Sequence, residues 1–529
     1  MRVLIFHGYL LGGTGSNVYN ARLARALVRL GHEVHLLCQE RHPDEHPFID
    51  AAGDWDSGAL LVRALPGSAE AEVRSGTGSC TVYRPDIGGL LPVYVADRYE
   101  AMLARTFAEC TDEEVARYIE ANVRAVEEVC QLARPQVALA NHLVMGPVIL
   151  ARALAGAVPY AVKVHGSALE YTVKPEPERF LPLAREGLAS ARGVLVGSRH
   201  TALSLWQAIG EEALPLRTRL GPPGVDVERF APREPAAARA AVAALAGRLE
   251  GSATDDDRAP DAFARDAATA ARELRRVELD EDRLVAFVGK LIVSKGIDLL
   301  LAAWPLVLER VPEAKLLVIG FGAYRDGLQA LMAALSEGDL EEVRRIARAG
   351  RALEGSAGAA EPLRYLLAFF DGLSADECER YLSLSRGLRE RVLLTGRLDH
   401  EELVELLPAC EALVVPSTFP EAFGMVAAEA AACGVLPISA AHSGLAEVSD
   451  ALAREVPPEA VGWLSFAVDE NAVRSLAACV SAWLQADEGL RAQTRAGLVA
   501  TVRERWSWDG VARGVIAAAL GELDGLLAP

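Results

Sequence analysis

The sequence predicts an α/β protein built as two doubly wound domains. Three observations carry this reading. Short apolar runs alternate with helical stretches at both ends of the 529-residue chain, as in parallel sheets covered by helices. A Pro/Gly cluster, Gly221-Pro222-Pro223-Gly224, interrupts that alternation and reads as a linker. The alternation then restarts at Leu284–Val288.

The elements follow in order. Val3–Phe6 is the first strand, and Gly12-Gly13-Thr14-Gly15 is a glycine loop beyond it. Glycines there let backbone approach a ligand closely. Val18, Leu23, Ala24, Leu27 and Leu30 share one face of a helix from about Asn17 to Leu30, which stops at Gly31. Glu33–Cys38 is the next strand. Residues 42–60 hold Asp44, Glu45, Asp50, Asp54 and Asp56 and read as an acidic loop. A long helical pattern covers about 114–134, and Val137–Ala140, Ala161–Val164 and Gly193–Val196 read as strands.

Beyond the linker, a helix is expected near Ile297–Arg310, with strands at Lys315–Ile319, Val392–Thr395, Ala412–Val415 and Leu436–Ser439. Two stretches break the rhythm. Residues 235–280 are Ala/Arg/Asp-rich and are expected to hold helix and an acidic segment including Asp255–Asp257. Residues 326–390 are helical in composition and read as an inserted subdomain. The expected division is 1–222, 223–505 and a C-terminal helix within 506–529.

Composition excludes some partners. A formal net charge of −19 argues against nucleic acid or an anionic membrane surface. No run of about 18 apolar residues is present, so no integral membrane segment is expected. Residues 1–6 enter a strand directly, without the pattern of a secretory leader, so a cytoplasmic location is expected. The eight cysteines contain no Cys-x-x-Cys pair and are expected to be reduced thiols. The oligomeric state is not legible.

The densest chemistry lies at 412–429. The apolar Ala412–Pro416 run is followed by Ser417-Thr418-Phe419-Pro420-Glu421-Ala422-Phe423-Gly424, and a helix opens with Met425 and Val426 and carries Glu429. A strand, a tight turn and a helix N-terminus concentrate free N–H groups and the positive dipole end, which suits phosphate. Flanking carboxylates accept hydrogen bonds from sugar hydroxyls. A ligand with both parts is a nucleotide sugar.

This segment resembles the Glu-x7-Glu motif of retaining glycosyltransferases of family 4, which have the GT-B fold. The resemblance implies two Rossmann-like domains facing a cleft, with the C-terminal helix crossing back to the first. It implies that Glu421 faces the donor sugar, Glu429 holds the ribose, and the amides of Phe423, Gly424, Met425 and Val426 meet the diphosphate. Gly289-Lys290-Leu291 and Lys295-Gly296 stand where the family has Gly-Arg-Leu and Lys-Gly. Lys290 keeps the charge of the usual arginine but loses its bidentate fork. Gly320-Phe321-Gly322 with Arg325 resembles the family's glycine motif after the next strand, and Gly396-Arg397 matches its nucleobase loop. In the first domain, Gly12 and Gly13 are expected near donor phosphate or acceptor. His165, in Lys163-Val164-His165-Gly166, resembles the histidine set near the donor sugar. His142 and Arg199 could face the acceptor or be structural.

The implied function is transfer of a sugar from a nucleotide donor to an acceptor hydroxyl, with catalytic roles for Glu421, His165, Lys290 and Lys295. No essential metal is expected, since lysines and helix dipoles can balance the diphosphate, although Asp54-Trp55-Asp56 matches a metal-holding string of another transferase fold. A non-catalytic nucleotide-sugar-binding protein is the main alternative. A glycoside hydrolase would not need the phosphate-binding pieces, and a dehydrogenase would need a Gly-x-Gly-x-x-Gly loop. Sugar, nucleobase and acceptor stay open, with the acidic 42–60 stretch favouring a soluble or cationic acceptor.

Overall fold

In the first half of the chain, nine strands form one sheet. The computed structural model describes residues 1–12, 15–56, 58–66, 78–94, 102–252, 266–278, 280–354 and 361–529. Across the sheet the order is Thr218–Leu220, Gly193–Val196, Tyr160–Lys163, Val137–Asn141, Arg2–Phe6, Glu33–Leu37, Ser79–Arg84, Ala51–Asp56 and Ala59–Ala64. All neighbours pair in parallel except the last two strands, which form an antiparallel hairpin. The direction of winding reverses between Arg2–Phe6 and Val137–Asn141. Val3, Leu4, Ile5 and Phe6 are buried, as are all five residues of Val137–Asn141. These strands are covered on both faces, which is why they read as unbroken apolar runs.

A second, six-stranded parallel sheet has the order Val392–Gly396, Ala314–Ile319, Arg283–Val288, Ala412–Val415, Leu436–Ala440 and Ser465–Phe466. Its winding reverses between Arg283–Val288 and Ala412–Val415. The chain divides into two compact units, Met1–Gly224 with Trp506–Pro529, and Val225–Arg505. In an open parallel sheet, ligands bind beyond the strand C-termini where the winding reverses. Each unit therefore marks one place for a site.

Helix ends follow local chemistry. The helix Asp112–Ala133 opens with a reciprocal capping box between Thr111 and Glu114 and closes on Arg134 at φ 48°. The first helix, Gly15–Arg29, buries Asn17, Tyr19, Asn20, Leu23, Ala24, Ala26 and Leu27, whereas Val18 is 39% exposed. The helix Trp508–Leu520 packs in unit 1, with the Trp508 ring 5.5 Å from that of Tyr19.

The 42–60 stretch is not a loop throughout. It holds a short turn at Pro43–Glu45, the strand Ala51–Asp56 and the start of Ala59–Ala64. Two of its acids find partners thirty positions on: Asp50 Oδ2 accepts from Cys80 N at 2.8 Å, and the Arg84 fork donates to both Asp54 oxygens at 2.5 Å. Residues 235–280 hold helices Pro235–Ser252 and Ala267–Leu274, and Asp255–Asp257 lie outside the described residues. The insertion forms helices Arg325–Glu337, Leu340–Ala349, Arg364–Asp371 and Ala375–Ser385. Tyr381 anchors it, donating to Ala302 O at 2.8 Å with Phe369 and Phe370 edge-on to its ring. All eight cysteines are free thiols. Among the described residues no helix is long and apolar enough to cross a membrane.

Candidate functional site

In unit 2 the site begins where the strands Arg283–Val288 and Ala412–Val415 end. Past the first strand lie Gly289, the exposed Lys290, and a turn at Val293–Lys295. Past the second lie Ser417 to Glu421. Thr418 N donates to Ser294 O at 2.9 Å, which ties the two segments together. Gly296 makes their approach possible: it sits at φ +65°, and a Cβ there would lie 2.0 Å from Pro416 O.

This tie brings Lys295 onto Glu421. The Lys295 ammonium donates to Glu421 Oε1. The same oxygen accepts from Ser417 Oγ at 2.6 Å, and Ser443 Oγ accepts from Glu421 N at 2.9 Å. His442 completes the support, with Nε2 2.8 Å from Ser417 O and Nδ1 3.1 Å from Ser443 Oγ. The carboxylate thus has a fixed orientation while half-buried.

The helix Met425–Ala432 starts beside it, N-capped by Gly424. A Cβ at 424 would lie 2.8 Å from Leu445 Cδ2, so a larger residue there would have to displace the end of that side chain. Phe423, Met425 and Val426 are half-buried, and the first-turn amides have no intrahelical partner. Glu429, on the second turn, is 5% exposed. Its Oε1 lies 2.7 Å from His400 Nε2, and the His400 ring meets Phe230 edge-on at 4.9 Å.

The neighbouring strand ends complete the rim. Leu291 N donates to Phe321 O at 2.7 Å and Tyr324 N to Leu291 O at 3.0 Å, which pins Gly322 against the Lys290 loop. Arg325 begins the helix Arg325–Glu337 and is half-buried. Gly396 O accepts from Gly320 N at 3.0 Å. The exposed Arg397 stacks over Phe321 at 5.4 Å and lies 3.7 Å from Asp399. Beneath the rim, burial pushes Asp298 up to about 7, against backbone bonds that pull it down.

In unit 1 the reversal point holds a cluster that motif reading did not assemble. Phe6 leads into His7, and Asn141 into His142. His165 Nε2 lies 3.0 Å from Asn141 Oδ1. His142 is 2% exposed at φ +68°, and neither of its ring nitrogens has a hydrogen-bond partner. Its ring packs 4.5 Å from Tyr94, 4.9 Å from His165 and 6.0 Å from His7. Its place is therefore inside the aromatic cluster rather than on the surface. Burial pulls His7 down to about 4, despite bonds to Asn17 and Leu10 that raise it. His142 and His165 are pulled well below the usual histidine value, first by burial and then by the neighbouring basic groups, His7 for His142 and His142, Lys163 and His7 for His165. Burial also lowers Lys163 to about 7, and its Nζ donates to Gly221 O at 2.5 Å.

Gly12 is exposed at the mouth of this cluster, and Gly13 lies outside the described residues. Arg199 is exposed as the first residue of the helix Arg199–Ile209. An open cavity of about 540 Å³ in the same unit is lined by Gln39, Arg41, His42, Arg84 and Met102. Among the described residues, no group of three or more His, Cys, Asp or Glu side chains could hold a metal ion.

The sequence pattern of the glycosyl transferases group 1 matches residues 271–343 and 356–496, and that of the glycosyl transferase 4-like domain matches residues 14–216. The chain is a family 4 glycosyltransferase. A D-inositol 3-phosphate glycosyltransferase of Xylanimonas cellulosilytica is 28% identical over 67% of this chain and 63% of its own length. One from Segniliparus rotundus is 27% identical over 67% of this chain and 58% of its own. The chain thus spans less than two thirds of the curated relatives it matches. Among solved structures, Anabaena HepE in complex with UDP superposes with a TM-score of 0.54 at 16% identity, covering 99% of this chain and 100% of that one. Sucrose-phosphate synthase from Thermosynechococcus elongatus gives 0.52 at 19% identity, covering 99% and 98%. These likenesses establish the GT-B fold.

The structure also places near these switch points residues that motif reading missed. Glu354, in the insertion, accepts from Val293 N at 2.6 Å and so supports the turn that carries Lys295. Its carboxylate comes from 61 positions away, and nothing local announces it. Asn17 and Asn20 were hidden on a helix whose apolar residues drew attention; a signal was present in their spacing, one turn apart on the buried side.

Proposed function

We propose that this glycosyltransferase moves a sugar from a nucleoside diphosphate sugar to an acceptor hydroxyl, with retention at the anomeric carbon and without an essential metal. One observation carries the reading. At the reversal point of the second sheet, Lys290, Lys295 and the helix start at Gly424 stand with an oriented Glu421. In transfer, the bond from the anomeric carbon to the phosphate breaks and one to the acceptor oxygen forms. Positive charge grows on the sugar ring and negative charge on the departing phosphate. The two ammonium groups and the first-turn amides stabilise the phosphate. The departing phosphate oxygen takes the acceptor proton on the same face of the sugar. Glu421 accepts from sugar hydroxyls and is not a nucleophile; Glu429 holds the ribose. Lysines supplying the charge support independence from a metal ion.

HepE in complex with UDP makes UDP-sugars the first donors to test, and the names of the curated relatives make an inositol phosphate the first acceptor. The cavity beside Arg41, His42 and Arg84 suits a phosphorylated acceptor, and the pairing of Asp54 with Arg84 removes much of the local acidity that favoured a cationic one. A cytoplasmic place suits the eight free thiols. The test is thermal shift with UDP-, GDP- and ADP-sugars, followed by transfer assays in EDTA and assignment of the product anomer by NMR. A ligand that binds the folded state raises the melting temperature. Absence of both a shift and a product with every donor overturns the reading; an inverted anomer overturns retention.

A further inference from the structure

A single file of buried side chains links His165 to the Gly12 carbonyl in unit 1. His165 Nε2 meets Asn141 Oδ1 at 3.0 Å, and Asn141 Nδ2 meets Asn20 Oδ1 at 2.8 Å. Asn20 Nδ2 meets His7 Nδ1 at 3.0 Å, and His7 Nε2 meets Asn17 Oδ1 at 3.0 Å. Asn17 Nδ2 closes the file on Gly12 O at 2.6 Å. Asn17, Asn20, Asn141 and His7 are each no more than 2% exposed, so water does not compete for these bonds.

The direction of every bond is fixed by backbone. A carbonyl oxygen can only accept, so whatever side-chain atom faces one must donate. Asn141 Nδ2 faces Phe6 O at 3.2 Å, Asn20 Nδ2 faces Ser16 O at 2.9 Å, and His7 Nε2 faces Leu10 O at 3.0 Å. With Gly12 O on Asn17, four carbonyls set three amide orientations and the tautomer of His7. Each amide of Asn141 and Asn20 then has both hydrogens committed. Asn141 Oδ1 is left as an acceptor, so the hydrogen between it and His165 belongs to His165 Nε2. The neutral ring, favoured by its burial, carries its lone pair on Nδ1.

We propose that Asn141, Asn20, His7 and Asn17 are positioning residues, forming a one-way hydrogen-bond relay that holds His165 as the Nε2–H tautomer and ties it to the Gly12 carbonyl. His165 consequently offers Nδ1 as an acceptor and selects a hydroxyl that donates to it. His142, packed against His7 and His165 with no hydrogen bond of its own, fills the space beside the relay and keeps it dry. The effect on turnover rests on the reading of His165 as a donor-sugar residue, whereas the tautomer does not.

The test uses the full chain labelled with 15N-histidine. A two-dimensional 15N–1H spectrum distinguishes the two tautomers, with His165 assigned by loss of its signal in His165→Gln. The expected result is Nε2–H for both His165 and His7. An Nδ1–H signal at His165 overturns the proposal. Asn20→Asp cannot donate to His7 and so reverses the middle of the file without touching a ligand. It is expected to mix the His165 tautomers and lower kcat roughly tenfold, with donor KM within about twofold of the parent. Parental kcat and a single His165 tautomer in both Asn20→Asp and Asn20→Ser overturn the coupling even when the native tautomer is as stated. Should neither variant fold, the tautomer in the parent chain still decides. A protein that transfers no sugar but shows Nε2–H at His165 refutes the transferase reading and leaves the relay standing.

Discussion

Lys295 and Glu421 lie 126 positions apart and meet as an ion pair at the switch point of the second sheet. Without ligand, each neutralises the other. On the proposed reading, an arriving diphosphate would give the ammonium a second anion and the sugar would share Glu421. The pair therefore presets both groups without a separate ordering cost at binding.

Glu421→Ala is expected to lower turnover at least roughly tenfold, about 1.4 kcal/mol of transition-state stabilisation, with little change in melting temperature. Lys295→Ala is expected to do the same. Because the two touch, the double variant should fall short of the sum by about 0.5–3 kcal/mol. Initial rates for the four proteins measure this, and strict additivity would refute a shared role.

Glu354→Ala should weaken donor binding several-fold while leaving the fold intact. The carboxylate holds Val293 N and so the turn of Lys295. Losing one charge-assisted bond of this kind costs about 1.5–3 kcal/mol, part of which appears as a looser turn. Calorimetry with UDP or another responding nucleotide checks it; unchanged affinity would make the insertion a bystander at this site.

The buried histidines should make a contribution to stability that is lost with acid below pH 6.5. His7 drops from 6.5 to about 4 on folding because it is buried neutral, and His142 and His165 shift the same way. Between those values the unfolded chain binds more protons, so unfolding free energy decreases as pH falls. His7 alone contributes about 3 kcal/mol across the window. Lys163, lowered to about 7 by burial, acts in the alkaline range, where stability rises as pH climbs from 7 towards 10.5. Asp298, raised to about 7 by burial, acts with the opposite sign over pH 7 to 4, so urea titrations compare the parent with His7→Gln, and an equal acid dependence in both would refute the buried neutral cluster.

Gly296→Ala should destabilise unit 2 by at least about 2 kcal/mol, since it combines a left-handed backbone with contact against Pro416 O. Differential scanning calorimetry would show it; a melting temperature within about one degree of the parent would not fit the geometry.

Much of this architecture was legible from residues alone. Apolar runs such as Ala412–Val415 and Ala314–Ile319 are strands buried along their whole length, and burial on both faces is what makes such runs visible. The hairpin at Ala51–Ala64 escaped because Asp54 and Asp56 look like loop residues until Arg84, thirty positions on, is seen to pair with Asp54. Near the second switch point, the local motif foretold the turn and helix that carry Glu421, Gly424 and Glu429. Contacts made across the chain were not foretold. Glu354 reaches Val293 from a separate helical insertion, and Asn141 reaches Asn20 across 121 positions. Sequence periodicity reports which face a residue occupies, not which distant partner it finds there.

The helix Trp508–Leu520 has one more consequence. Trp508 packs on Tyr19 and against Gly224, and Leu527 O accepts from Leu220 N at 2.7 Å to extend the backbone pairing of the first sheet. Unit 1 is therefore written in two pieces with all of unit 2 between them. On the ribosome the first piece must wait, with Tyr19 and the rim of its sheet uncovered, until Trp508 to Leu527 emerge. The second unit can finish folding first, although its sequence is translated later.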